Sequence, residues 1–267
     1  MVIARLPHRK LVDLAELMVD TVAMADWSFF AKNGGDTTMF ALMVARAATG
    51  RPKVVITRGG YHGVAPWTQK SGHPGITSED VANNLYVEFG DFEGLERVFA
   101  EHRGTIACFM ATPYHHPVFE TNRLPPTGYW NKVRELCTRE GVVLAIDDVR
   151  CGFRLDVRGS DAHYGFEADL ECFCKALANG WNISSLCGKD SAQGRGGISD
   201  VHGLLLAIRS TYSGGSRLRY KDEEDRRSQS LHREGQEADH GTRERQAPWL
   251  RSYNFWGTVH VVHEHGK

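Results

Sequence analysis

Apolar residues recur at helical spacing in two stretches near the start of the chain. Lys10 to Ala25 places Leu11, Leu14, Ala15, Met18, Val19 and Val22 on one face, and Asp36 to Ala48 repeats the pattern with Met39, Leu42, Met43 and Ala47. Short apolar runs follow at Val54 to Thr57, Leu85 to Val87, Thr105 to Met110, Val142 to Ile146 and Leu170 to Cys174, and these read as strands. Two further helices separate several of them. One is Phe92 to His102, with Asp91 as its N-cap; the other is Gly128 to Glu140, after the Pro125-Pro126 punctuation. Strand and helix in alternation predict an α/β domain with a mostly parallel sheet flanked by helices.

The pattern fades near residue 190. Residues 217 to 246 hold 16 charged side chains among 30 and only Leu218, Tyr220 and Leu231 as sizeable apolar ones. Such a stretch buries too little apolar surface to offset the entropy of ordering it, so a disordered segment or a solvated helix is expected there. The chain thus divides into a patterned domain over 1–190 and a charged tail over 191–267. The abruptness of the change is what a shift of reading frame produces, and translating the other two frames past residue 190 tests that.

Composition narrows the class of partner. With 41% hydrophobic and 24% charged residues among 267, the chain has the balance of a soluble globular protein, and collagen, mucin and wholly disordered classes are excluded. The 32 Lys and Arg against 33 Asp and Glu leave no global basic field for nucleic acid or an anionic membrane surface. No window approaches the roughly 20 apolar residues that span a bilayer, and no signal peptide opens the chain, so a cytoplasmic protein is expected. Six cysteines in that setting read as reduced thiols. Cys172-x-Cys174 is too tightly spaced for half of a zinc site and reads as buried strand thiols. His260-x2-His263-x-His265 reads as a solvated histidine-rich end, so no metal site is expected.

In an open parallel sheet, ligands bind beyond the carboxyl ends of the strands. Three places there carry chemistry. Asp147 and Asp148 follow the run ending at Ile146 and suit an acid/base pair, Mg²⁺ ligands, caps on the next turn, or a carboxylate opposite a pyridinium nitrogen. Adjacent strand residues point to opposite faces, so at most one of the two meets a given ligand. Arg58-Gly59-Gly60-Tyr61-His62-Gly63 follows Val54 to Thr57, and Tyr61 suits either stacking on a planar ring or anchoring the loop by packing. Lys175, alone among nine lysines, closes an apolar run, Cys172-Phe173-Cys174. Desolvation there would favour the neutral amine of a Schiff-base nucleophile, while the plainer reading is a packed stem with its head in solvent. A fourth feature, Asn33-Gly34-Gly35, precedes a helix and suits either phosphate binding or an ordinary turn, with Asp36 opposing an anion unless it points away.

Taken in order, these residues resemble the pyridoxal-phosphate enzymes of aminotransferase class III, in the branch of the glutamate-1-semialdehyde aminomutases, over roughly Leu11 to Asp190. Lys32-Asn33-Gly34-Gly35-Asp36-Thr37 is similar to the family's Asn-Ser-Gly-Thr-Glu-Ala phosphate cup. Gly60-Tyr61-His62-Gly63 is similar to its Tyr-His-Gly. Asp147-Asp148-Val149-Arg150-Cys151-Gly152-Phe153-Arg154 is similar to Asp-Glu-Val-x-Thr-Gly-Phe-Arg, and Lys175 falls 175 − 147 = 28 residues beyond Asp147. The resemblance implies a large domain of fold type I and pyridoxal 5′-phosphate as cofactor. It further implies phosphate contacts from Asn33, Gly34 and Gly35, ring stacking by Tyr61, packing by Val149, pairing of Asp147 with the pyridinium, and a Schiff base on Lys175.

The implied activity is transfer of an amino group by a transaminase or aminomutase, acting on amino acids or amines and keto acids as a homodimer. The cup here lacks two hydroxyl donors, the second carboxylate is Asp148 in place of glutamate, and no counterpart of the family's small domain follows Asp190. A truncated, non-catalytic remnant is therefore the competing reading. A phosphotransferase using Asp147 or Asp148 for Mg²⁺ stands third, since no Walker-type loop is present.

Overall fold

The computed structural model describes residues 9–117 and 120–190, together with the backbone of two short strands at 252–253 and 259–260. The acidic and basic stretch 217–246 and the side chains of His260, His263 and His265 lie outside the described residues.

The helices begin and end where capping chemistry places them. Helix α1 spans Arg9–Thr21, four residues shorter at its end than the apolar spacing predicts, because the chain turns there toward strand β1, Trp27–Ala31. Helix α2, Gly34–Thr49, is opened by a reciprocal cap: the Asn33 side chain accepts from the Asp36 amide, and the Asp36 carboxylate accepts from the Asn33 amide. Gly50, in the left-handed conformation at φ 66°, closes it. Strand β2, Lys53–Thr57, follows, then the single turn α3, Ser78–Val81, and strand β3, Asn84–Val87. Helix α4, Phe92–Glu101, starts from Asp91, whose carboxylate accepts from the Gly94 amide at 2.8 Å. Strand β4 is Ile106–Ala111, helix α5 Tyr129–Glu140, strand β5 Val143–Asp147 and the short helix α6 Ser160–Tyr164. Strand β6, Leu170–Phe173, leads into one helical turn, α7, Lys175–Ala178, and then strand β7, Ser184–Gly188.

The strands form one mixed sheet in the order β3-β2-β4-β5-β6-β7-β1, extended beyond β1 by β9, Val259–His260, and β8, Ser252–Tyr253. The pairs from β3 through β6 are parallel, as expected. Strand β7 runs antiparallel to both β6 and β1. Neither β1 nor β7 is marked by a long apolar run: Ser28, Ser184 and Ser185 are fully buried, and the Ser28 and Ser185 hydroxyls satisfy each other at 2.7 Å.

Strand alternation sorts the core into two layers. Cys108 and Met110 of β4, Val143 and Ala145 of β5 and Cys172 of β6 pack with Ala41, Leu42 and Ala45 of α2 on one face. Phe109, Leu144, Ile146 and Phe173 pack on the other face with Leu95 and Phe99 of α4 and Trp130 and Leu136 of α5. Both faces of the central strands are covered, which is why they read as unbroken apolar runs. The same parity carries Asp147 to the α2 face and Asp148 to the opposite one.

Candidate active site

The cavity lies where the amino end of α2 meets the carboxyl ends of β2, β4, β5 and β6. It encloses about 610 Å³, and Asn33, Gly34, Gly35, Tyr61, Asp147, Val149 and Lys175 all line it. Residues up to 142 positions apart in sequence (175 − 33) thus share one wall.

Asp147 ends β5 and is buried. Its Oδ2 meets Nδ1 of the buried His62 at 2.7 Å, and its Oδ1 accepts from the Val149 amide at 3.2 Å. A carboxylate held at both oxygens has a fixed direction, and the imidazole beside it offsets part of the cost of burying it. Nε2 of His62 has no hydrogen-bond partner among the described residues.

Val149 lies against Gly34. A Cβ built at Gly34 would stand 2.7 and 2.8 Å from the two Val149 methyls, so any larger residue would push Val149 out of place. Gly63, at φ 110°, brings its backbone against Gly35, and a Cβ there would stand 2.9 Å from the Gly35 Cα. The Thr38 hydroxyl donates to the His62 carbonyl at 2.7 Å and ties the β2 loop to α2. As the first helical residues, Gly34 and Gly35 present amides without intrahelical acceptors. Asp36 points its carboxylate at the Lys32 and Asn33 amides, at 3.2 and 3.1 Å, which answers the concern that it would oppose an anion. The Asn33 oxygen is committed to the cap, which leaves its side-chain amide nitrogen to offer a ligand.

For Lys175 the structure favours the plainer of the two readings. It does not sit in apolar surroundings but is exposed to the cavity, because β6 ends at Phe173 and Cys174 turns the chain away from the sheet into α7. Its ammonium makes no hydrogen bond or ion pair among the described residues. Cys172 is a buried strand thiol as expected, whereas Cys174 is half-buried and lines the cavity.

The family model for aminotransferase class III matches residues 1–214. The chain belongs to this family. It is 40% identical over 187 residues to an aminopentol aminotransferase of Sphingopyxis macrogoltabida, covering 70% of this chain and 44% of that one. It is 31% identical over 194 residues to a glutamate-1-semialdehyde 2,1-aminomutase of Methanococcus vannielii, covering 68% of this chain and 45% of that one. Among solved structures, the pyridoxal-phosphate internal aldimine form of the FumI protein of a Sphingopyxis strain superposes with a TM-score of 0.68 at 40% identity, over 70% of this chain and 45% of that one. The class III chain described here therefore spans somewhat under half the length of these relatives.

Class III aminotransferases use pyridoxal phosphate, and the cavity has the donor set for it. The side-chain-free cradle at Gly34 and Gly35 suits a phosphate, the fixed Asp147 carboxylate suits a ring nitrogen that carries a proton, and the free Lys175 amine suits a carbonyl. The hydroxyls that the cup lacks are not replaced from the first turn of α2, since Thr37 and Thr38 spend theirs on the Gly34 and His62 carbonyls.

Three groups escaped the sequence reading. His62 was within a quoted motif, but nothing in spacing alone aims it at Asp147, 85 residues away. His116 and Arg150 also line the cavity; His116 sits in a connection with no local pattern to mark it, and Arg150 stands at the motif position that the family leaves variable.

Proposed function

We propose that this chain carries the cofactor-binding part of a pyridoxal-phosphate-dependent enzyme that moves an amino group, a transaminase or aminomutase, with 1–190 as a partial large domain. The observation that carries the reading is the convergence of a free lysine amine, a doubly held aspartate and an open helix amino end on one cavity. Its substrates are an amino acid or amine and a keto acid, its working form is a homodimer, and its compartment is the cytoplasm.

When bound, the cofactor supplies an electron sink that makes a proton on the substrate's amino-bearing carbon removable. The protein's share is binding, orientation and proton movement. The Gly34 and Gly35 amides, with the positive end of α2, hold the phosphate. Asp147 keeps the ring nitrogen protonated by placing a negative charge against it, and His62 keeps that carboxylate aimed. Val149 and Tyr61, both lining the cavity, would pack against the cofactor ring. Lys175 Nζ would hold the cofactor at its carbonyl end, and its amine would be the group on this wall placed to take and return a proton.

The test is near-visible absorption of the full chain with pyridoxal phosphate, followed by a screen of amine donors. A band that requires Lys175 and bleaches with a donor supports the reading. A band that no donor alters would leave a cofactor-holding domain without turnover, the competing reading, and no band in folded protein would remove the cofactor site altogether.

A further inference from the structure

Among the cavity-wall residues outside that reading are His116 and Asn122, from the connection after β4, and Arg150, from the turn after β5. The connection is built to present the first two together. His115 and Arg123 pair as a bridge, each amide donating to the other's carbonyl at 2.9 and 2.8 Å, so that His116 and Asn122, the next residues inward, stand opposite one another. His116 is 9% exposed, and its Nε2 is buried without a hydrogen-bond partner. Burial pushes this imidazole below its ordinary value, with the nearby Arg150 and His62 acting in the same sense and Asp147 against it. Arg150 is exposed and lines the cavity, and no ion pair engages it among the described residues.

The imbalance is one of charge and of acceptors. Asp147 is the one acidic side chain lining the cavity among the described residues; His62 and the Val149 amide hold it in place, and the reading above commits its remaining capacity to the cofactor ring. Arg150 supplies a planar fork of donors, and His116 and Asn122 supply further polar atoms, all lacking an acceptor. A neutral ligand would leave the guanidinium unpaired. A carboxylate satisfies it bidentately and compensates the positive field that Arg150 casts on His116.

We propose that Arg150, His116 and Asn122 form an anion-reading wall that takes the carboxylate of the amino donor or of the keto acid, so that the chain selects acids over plain amines. This rests on the cofactor reading above for its reaction, though not for its binding chemistry.

The probe is propanoate, which carries the carboxylate but no amine and so does not react, titrated calorimetrically into the full chain with and without pyridoxal phosphate. Propanamide is the neutral control and inorganic phosphate the competing anion. Propanoate is expected to bind and propanamide not. Arg150→Gln should weaken propanoate at least about tenfold, Arg150→Lys less, and His116→Phe about threefold, while the cofactor band keeps its wild-type intensity. Arg150 is exposed, so its replacement leaves the core intact, and circular dichroism checks this.

Wild-type propanoate affinity in Arg150→Gln would overturn the proposal. So would loss of the cofactor band in that variant, or displacement of propanoate by inorganic phosphate from cofactor-loaded protein, since either would assign Arg150 to the phosphate end. If the wild-type chain shows no cofactor band, the cofactor reading fails, yet propanoate binding without cofactor still decides whether the wall reads carboxylates.

Discussion

Asp147 and Asp148 are neighbours in sequence with the same side-chain chemistry, and the pleat of β5 sends them into opposite environments. On the α2 face, Asp147 meets an imidazole and a backbone amide and opens onto a cavity. On the other face, Asp148 is held by the Ser160 amide and hydroxyl at 3.0 and 2.5 Å, with Asp161 and Glu171 as further buried carboxyls. Burial pushes Asp148 up to about 7, and Asp161 up to about 6 against the opposing pull of two backbone amides and the Lys189 charge. Glu171, fully buried with Oε2 unpartnered, is raised well above the ordinary range by burial first and by its two acidic neighbours next. The difference teaches that one face turns its carboxylate toward an open cavity, while the other uses carboxyls as hydrogen-bonding staples that bind protons more tightly than free ones.

The largest effect falls on the ligand face. Lys175→Ala should abolish the near-visible cofactor band and lower amino transfer by about 10³-fold or more, the scale of a lost proton-transfer group, as read by single-turnover absorbance. Next, Asp147→Asn keeps the shape and should cost about 10²-fold in turnover with little change in melting temperature. Asp148→Ala should do the reverse, leaving the band in place and costing about 1–3 kcal/mol of stability, because the Ser160 donors lose their acceptor in the core. Equal loss of activity in both variants would erase the comparison. Smaller still, Gly34→Ala should weaken cofactor binding about tenfold in an equilibrium titration, since the new methyl displaces Val149.

The smallest effect sharpens the opposite face. A carboxyl whose folded pKa is raised gives stability that is full below the unfolded value, near 4, and is lost as pH rises through the folded value. For Asp148 and Asp161 that window runs from about 4 to about 7. Thermal melts of the wild-type chain should therefore fall between pH 5 and pH 8. Glu171→Gln removes one of the three protons from this balance and should raise stability at pH 8 by about 1 kcal/mol, with the gain shrinking toward pH 5. A gain of equal size at both pH values would show that Glu171 is not titrating in this way.

Much of this was legible in sequence because the parallel strands β2 to β6 are buried on both faces and so stand out as apolar runs. The residues closing those runs, Asp147 and Lys175, then fall at the ligand edge by topology alone. Strands β1 and β7 were not legible, since Ser28 and Ser185 satisfy each other across the pair and leave a polar pattern where a core exists. For Lys175 the apolar predecessors left two readings open, and the plainer one, a head in solvent, is what a strand ending at Phe173 produces, since it frees the next side chains from the sheet. His62, His116 and Glu171 depend on contacts between distant segments, which no local period encodes.

The measurement that bears most directly on the account is borohydride reduction of the full chain with pyridoxal phosphate, followed by peptide mapping by mass spectrometry. The account predicts one dominant adduct, a reduced pyridoxyl phosphate on Lys175, absent in Lys175→Ala and weakened in Gly34→Ala. Label spread over surface lysines, with no preference for Lys175 in folded protein, would contradict it.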